Sequence, residues 1–191
     1  MNNLVFKQAL QQYFTPTSSE WEHIQDKLSF RSLAKDECLI EQGEVCRQLT
    51  FITQGMIRYC QYDYDNNEHT TCFAWENFFC APFSSFIHST PSFESLIALE
   101  NTHLIEINKV DFFALVETIP GINLVYRKVL EAAYLLTEKH NYILQNYPAA
   151  ERYQTLVMQD HPTLLQRVPL KYIASYLGIN PETLSRVRRK I

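Results

Sequence analysis

Nine residues near the C-terminus, ETLSRVRRK (182–190), hold the densest set of side chains in this chain that can do recognition chemistry. On a helix, Glu182, Ser185, Arg186 and Arg189 share one face, because residues three, four and seven apart lie on the same side. Arg186 can donate two hydrogen bonds to the O6 and N7 acceptors of guanine. Glu182 can accept from a cytosine amino group, and Ser185 can bond to either kind of base edge. Arg188, Arg189 and Lys190 suit phosphate oxygens, which fix position without reading sequence, and Thr183 and Lys171 are further phosphate candidates. The charge balance agrees. Residues 1–147 carry 10 Lys/Arg against 18 Asp/Glu, whereas residues 148–191 carry 7 against 3. A polyanion is repelled by the first part and drawn to the second.

These side chains need a frame, and VPLKYIASYLGINPETLSRVRRKI (168–191) has the spacing of a helix-turn-helix. Two closely crossing helices impose steric demands at fixed positions. Counting Leu170 as the first position, the fifth is Ala174, where a large side chain would hold the helices apart. The ninth is Gly178, where a tight turn favours a residue tolerant of positive φ. Ile173, Leu177, Ile179, Leu184 and Val187 supply a small shared core. Asn180 is a good N-cap, Pro181 suits the first helical position, and Glu182 favours the positive end of the helix dipole.

Upstream, the elements that must carry this pair are legible in outline. A helical start is broken at Thr15-Pro16, and Thr17 with Glu20 has capping-box spacing for a second helix. From about residue 30 to 108 the texture changes to short runs rich in β-branched and aromatic residues, with a hairpin signal at Gln54-Gly55. Many short strands over about 80 residues suggest a small antiparallel barrel or jelly roll. KVDFFALVET (109–118) predicts a short helix. A long breaker-free helix follows, in which Ile122, Val129, Leu136 and Ile143 recur every seven residues, with Tyr126, Ala133 and His140 four further on. That seam predicts a self-pairing helix. Leu124, Leu130, Leu135 and Leu144 lie off it and are assigned to the helix's own domain. Tyr147-Pro148 ends the helix, and 149–159 reads as another.

The five cysteines (38, 46, 60, 72 and 80) are odd in number and lack CxxC spacing, so they read as reduced thiols rather than a disulfide framework or zinc site. The N-terminus lacks a signal-peptide pattern and no window is apolar enough to span a membrane, so the expectation is a cytoplasmic protein with no membrane partner.

At this point the chain resembles the bacterial Crp/Fnr family of transcription regulators. The motifs that carry the likeness are FITQGMIRYC, SFIHSTPSFESLIALENTHLIEI, the long helix, AAERYQTLV and, most specifically, RVPLKYIASYLGINPETLSRVRRKI. The resemblance implies an α+β chain: an N-terminal antiparallel β-roll of the cyclic-nucleotide-binding kind with flanking helices (1–118), a dimerisation helix (119–147) and a C-terminal winged helix-turn-helix (148–191). It implies double-stranded DNA with a two-fold symmetric site, a homodimer, and RNA polymerase as partners. The family's recognition helix commonly carries a Glu and an Arg four apart, matching Glu182 and Arg186, and several members place a Ser before the Arg, matching Ser185.

The sensor half departs from the best-known members. WENFFCAPFSSFIHSTPSFES (75–95), which corresponds to their phosphate cassette, has no glycine and no Arg or Lys, so a cyclic phosphate would be poorly compensated and cAMP is not expected. No cofactor is called for, and any small-molecule effector is unidentified. Phe73, Phe78, Phe79, Phe83 and Phe86 could fill the roll's interior and leave a dimerisation scaffold. Because the chain stops with the recognition helix, any wing is expected before the motif, around 161–168, in reduced form. Two other classes were weighed. A metal-dependent β-roll enzyme would need converging ligands, but His69, His88 and His103 form no HxH pair. An interaction-only module with a vestigial helix-turn-helix would not need its basic face. A non-enzymatic regulator accounts for more of the residues.

Overall fold

The computed structural model describes residues 3–190. Helix α1 (Asn3–Gln11) and helix α2 (Ser18–Gln25) open the chain. The capping box forms as expected: Thr17 Oγ1 accepts from the Glu20 amide at 3.3 Å, and the Glu20 carboxylate accepts from the Thr17 amide at 2.7 Å. Eight strands follow: β1 (Leu28–Leu33), β2 (Cys38–Ile40), β3 (Gln48–Gln54), β4 (Ile57–Tyr62), β5 (Glu68–Ala74), β6 (Phe79–Cys80), β7 (Ser95–Ala98) and β8 (Thr102–Asn108). They form two four-stranded sheets, ordered β1-β8-β3-β6 and β2-β7-β4-β5. The β3–β4 turn falls at Gly55, whose φ of +101° and close approach to Thr102 both require the missing side chain.

Helix α3 (Phe83–His88) interrupts the strands, and α4 (Lys109–Thr118) and the 27-residue α5 (Pro120–Asn146) follow them. Then come α6 (Ala149–Tyr153), continued by a π-helical stretch Gln154–Gln159, α7 (Leu164–Arg167), α8 (Leu170–Tyr176) and α9 (Pro181–Arg188). The span expected to hold a reduced wing is therefore helical, and no strand lies among the described residues after Asn108. A wing needs alternating β-formers, whereas LLQR has good helix formers between breakers.

The chain divides into two compact units: residues 1–59 with 73–131, and residues 60–72 with 132–191. The tip of hairpin β4–β5 thus goes with the C-terminal helices, and α5 contributes to both units.

Strand register decides which side chains enter the space between the sheets. Thr50 pairs with Glu106 and with Cys80, so these three share one face, while Phe51 pairs with Ile105 and Phe79 on the other. On that second face Phe6 of α1 packs edge-on to Phe51 and Phe79, with centroids at 5.3 and 5.9 Å. Phe86 joins Phe112 and Phe113 of α4, and Phe78 lies against Trp75. The phenylalanine-filled interior is accordingly corrected: none of the five borders the cavity of about 420 Å³ that opens between the sheets. A one-residue alternation, invisible in composition, sends the rings elsewhere.

Candidate nucleic-acid interface

Helices α8 and α9 cross at Ala174, which is fully buried together with Ile173, Leu177 and Leu184, and Val187 closes the same core. Ile179, expected beside them, is half-buried. Gly178 adopts φ +63°, and its amide donates to Ser175 O at 3.0 Å while the Ile179 amide donates to Ala174 O at 3.0 Å, closing α8 in a left-handed turn. Asn180 then caps α9, its side-chain oxygen accepting from the Thr183 amide at 2.8 Å, with Pro181 at the first helical position.

That geometry leaves Glu182, Ser185, Arg186 and Arg189 exposed along one side of α9. Arg188 and Lys190 are also exposed, as is Lys171 on α8, whose ammonium sits 4.6 Å from the Tyr172 ring centre. Thr183 is half-buried and accepts from Arg186 Nη2 at 3.0 Å, so the guanidinium is held along the helix and must swing out to reach a base. Ser185, Arg188 and Arg189 line a groove with Leu170, Pro181 and Leu184. The fold thus brings the predicted base-reading side chains together and sets basic groups around them.

Three supporting contacts were missed in the sequence. Arg152 of α6 donates from Nε to Tyr147 O at 2.7 Å and from Nη1 to Leu177 O at 3.1 Å, tying the end of α5 to the end of α8. His140 stacks on Tyr176 with centroids 4.2 Å apart and planes within 8°, and its Nε2 meets Tyr176 O at 2.9 Å. Burial holds the His140 imidazole below its ordinary pKa, partly offset by that carbonyl, and burial pushes the Tyr176 hydroxyl well up. At the hairpin tip the Thr70 amide donates to Ser175 Oγ on α8 at 2.8 Å. A single Arg or His in a helix carries no periodic signal, so only AAERYQTLV, through its family likeness, pointed near them.

The seven seam residues are treated unequally by their own chain. Ile122 and Ile143, near the two ends of α5, are buried, and Tyr126 packs edge-on to Phe112 and Phe113. Tyr126, Val129, Ala133 and His140 are half-buried, while Leu136 is 39% exposed. Leu135, assigned to the helix's own domain, is instead 58% exposed, and Tyr134 beside it 64%. Two apolar stripes on one helix look alike in sequence, and which one the parent domain covers depends on long-range packing.

In the β-roll, His69 pairs with Asp63 at 2.9 Å and His103 with Ser32 Oγ at 2.9 Å. Among the described residues no three His, Cys, Asp or Glu side chains gather as a metal set, and no helix is long and apolar enough to cross a membrane.

Two sheets enclosing a cavity, a long connecting helix and a capped helix-turn-helix define an architecture, that of the Crp/Fnr regulators. Residues 30–119 match the family model of the cyclic nucleotide-binding domain. Among solved structures the chain is similar to FixK2 from Bradyrhizobium japonicum, with a TM-score of 0.74 and 17% identity over 85% of this chain and 83% of that one. It is also similar to the c-di-GMP responsive global regulator CLP of Xanthomonas campestris, at 0.72 and 17%, covering 91% of each. The catabolite activator protein of Thermus thermophilus follows at 0.54 and 18%, covering 95% of this chain and 85% of that. At these identities the likeness is one of fold. No curated protein sequence matches the chain.

Proposed function

We propose that this chain is a Crp/Fnr-type transcription regulator that binds a two-fold symmetric DNA site as a homodimer. The observation that carries the proposal is α9 itself, a helix capped by Asn180 and set by the Gly178 turn. It exposes Glu182, Ser185 and Arg186 on one face, with Arg188, Arg189 and Lys190 at its end. Residues 148–191 act as the DNA-binding domain, with Arg186 reading guanine, Glu182 and Ser185 completing the base contacts, and Lys171, Thr183, Arg188, Arg189 and Lys190 on phosphates.

A second copy pairs along α5, covering the middle of the seam at Val129, Ala133 and Leu136, which this chain leaves partly exposed. The ends of the seam, Ile122 and Ile143, serve the chain's own cores, so pairing is confined to about four helical turns. The dimer sets two copies of α9 about one DNA turn, roughly 34 Å, apart. The regulator type brings RNA polymerase as a functional partner. Residues 1–118 form the sensor-like domain, and an effector acts only by binding two dimer arrangements with unequal affinity.

The test is selection of DNA bound by the purified chain from a pool of fragments. The proposal expects enrichment of an inverted repeat with half-sites about one turn apart. Enrichment of no motif would overturn it.

A further inference from the structure

The cavity between the two sheets of the β-roll has an uneven chemistry. Its deeper wall comes from the β1-β8-β3-β6 sheet, where alternation turns Gln48, Thr50, Glu106 and Arg31 to one side. Ile40 and Leu96 of the other sheet, with Ala81 and Pro82, supply an apolar wall. Two of the polar atoms, Gln48 Oε1 and Glu106 Oε1, are shut away from solvent without a hydrogen-bond partner, and the Glu106 side chain is only 11% exposed. Arg31 Nη1 stands 3.9 Å from Glu106 Oε1, too far for a hydrogen bond, and is itself 39% exposed. Gln48 lies one diagonal step from Glu106 across β3 and β8, so one ligand head group can span both.

Buried acceptors without donors are costly, by about 1–3 kcal/mol each, and native chains rarely keep them without a use. Both orphans are acceptors, one of them a carboxyl group. The space they face has the size of a small-molecule site. An anion finds little here: the only basic side chains on the cavity, Arg31 and Arg47, are partly or fully exposed. A donor-bearing cation with an apolar body finds its complement.

We infer that the β-roll cavity binds a small aliphatic amine, its ammonium donating to Glu106 and Gln48 and its hydrocarbon lying on Ile40 and Leu96. The inference concerns the sensor half and is read without DNA, so its failure and that of the DNA-binding proposal are distinguishable. Burial raises the Glu106 pKa, with Arg31 pulling the other way, so the empty cavity tolerates a carboxyl group that an incoming ammonium would ionise.

Three probes with one hydrocarbon body and different heads test this: isoamylamine, 3-methylbutanol and isovalerate, titrated calorimetrically into the full chain. The amine is expected to bind at least tenfold more tightly than the alcohol, and isovalerate not to bind measurably. Glu106→Gln should lower amine affinity about tenfold or more while leaving the alcohol unchanged. Should that variant fail to fold, Gln48→Leu takes its place, with a smaller loss expected. Isovalerate binding as tightly as the amine, an amine affinity indifferent to the substitution, or no binding by any probe at 10 mM would each overturn the inference.

Discussion

The two recognition surfaces of this chain are built with opposite polarity. On α9 the donors of Arg186, Arg188, Arg189 and Lys190 stand out from a convex helix, where they meet acceptors brought by a partner. In the β-roll the acceptors of Gln48 and Glu106 are sunk in a concave site, where they meet donors. The first surface is made of neighbours in sequence and held by local bonds: a cap at Asn180, a turn at Gly178, a small residue at Ala174. The second is made of residues up to about 60 positions apart, joined only through β3–β8 and β1–β8 register. A helix pair can expose charge cheaply because water solvates it. A sheet interior can hold polar atoms only when a fold spread over the whole domain isolates them.

That contrast can be broken from either side. The largest effect is expected from Phe51→Ala, which removes a ring packed between Phe6 and Phe79 and only 1% exposed. The loss should be about 3–5 kcal/mol of stability, read as a shift in urea midpoint. Ala174→Leu comes next. It forces α8 and α9 apart at a site with no free space and should cost about 1–3 kcal/mol, with loss of DNA binding out of proportion to the loss of stability. Asn180→Ala removes the cap of α9 and should cost about 1 kcal/mol, measured by thermal unfolding, with the β-roll unaffected.

The smallest effect is a pH dependence in the C-terminal unit. His140 and His161 both titrate below their ordinary value because they are buried, with Asp160 raising and Lys139 lowering His161. A histidine whose folded pKa is depressed favours unfolding as the solution acidifies. Its contribution is complete above the unfolded value near 6.5 and is lost as pH falls through the folded pKa. Thermal unfolding between pH 7.5 and 5 should therefore show a falling midpoint, and His140→Gln should flatten the slope.

The same contrast explains what was legible in the sequence. Asn180, Pro181, Gly178 and Ala174 act through bonds and clashes with residues within a few positions, so their types and spacing carried the helix-turn-helix with its caps. The capping box at Thr17 and Glu20 and the turn at Gly55 were legible for the same reason. The fate of Phe79 and Phe86 was not, because strand alternation and the docking of α1 and α4 decide it. The stripes of α5 could be found but not assigned. Ile122 and Ile143 went to their own cores while Leu135 was left to solvent, since two apolar faces look alike until tertiary packing chooses between them. The wing expected at 161–168 rested on family likeness alone, and the local helix formers of Leu164–Arg167 overrode it.

The central claim is that Arg186 reads a base while its basic neighbours hold phosphate. Its most direct measurement is binding of the wild-type chain, Arg186→Ala and Lys190→Ala to a selected site and to versions with each guanine replaced. The account predicts that Arg186→Ala weakens binding to the selected site about tenfold or more and erases discrimination at one guanine per half-site. Lys190→Ala should weaken binding to all versions alike and reduce the salt dependence by about one phosphate contact per subunit. If Arg186→Ala weakened all versions equally and left every guanine preference intact, the claim would be contradicted.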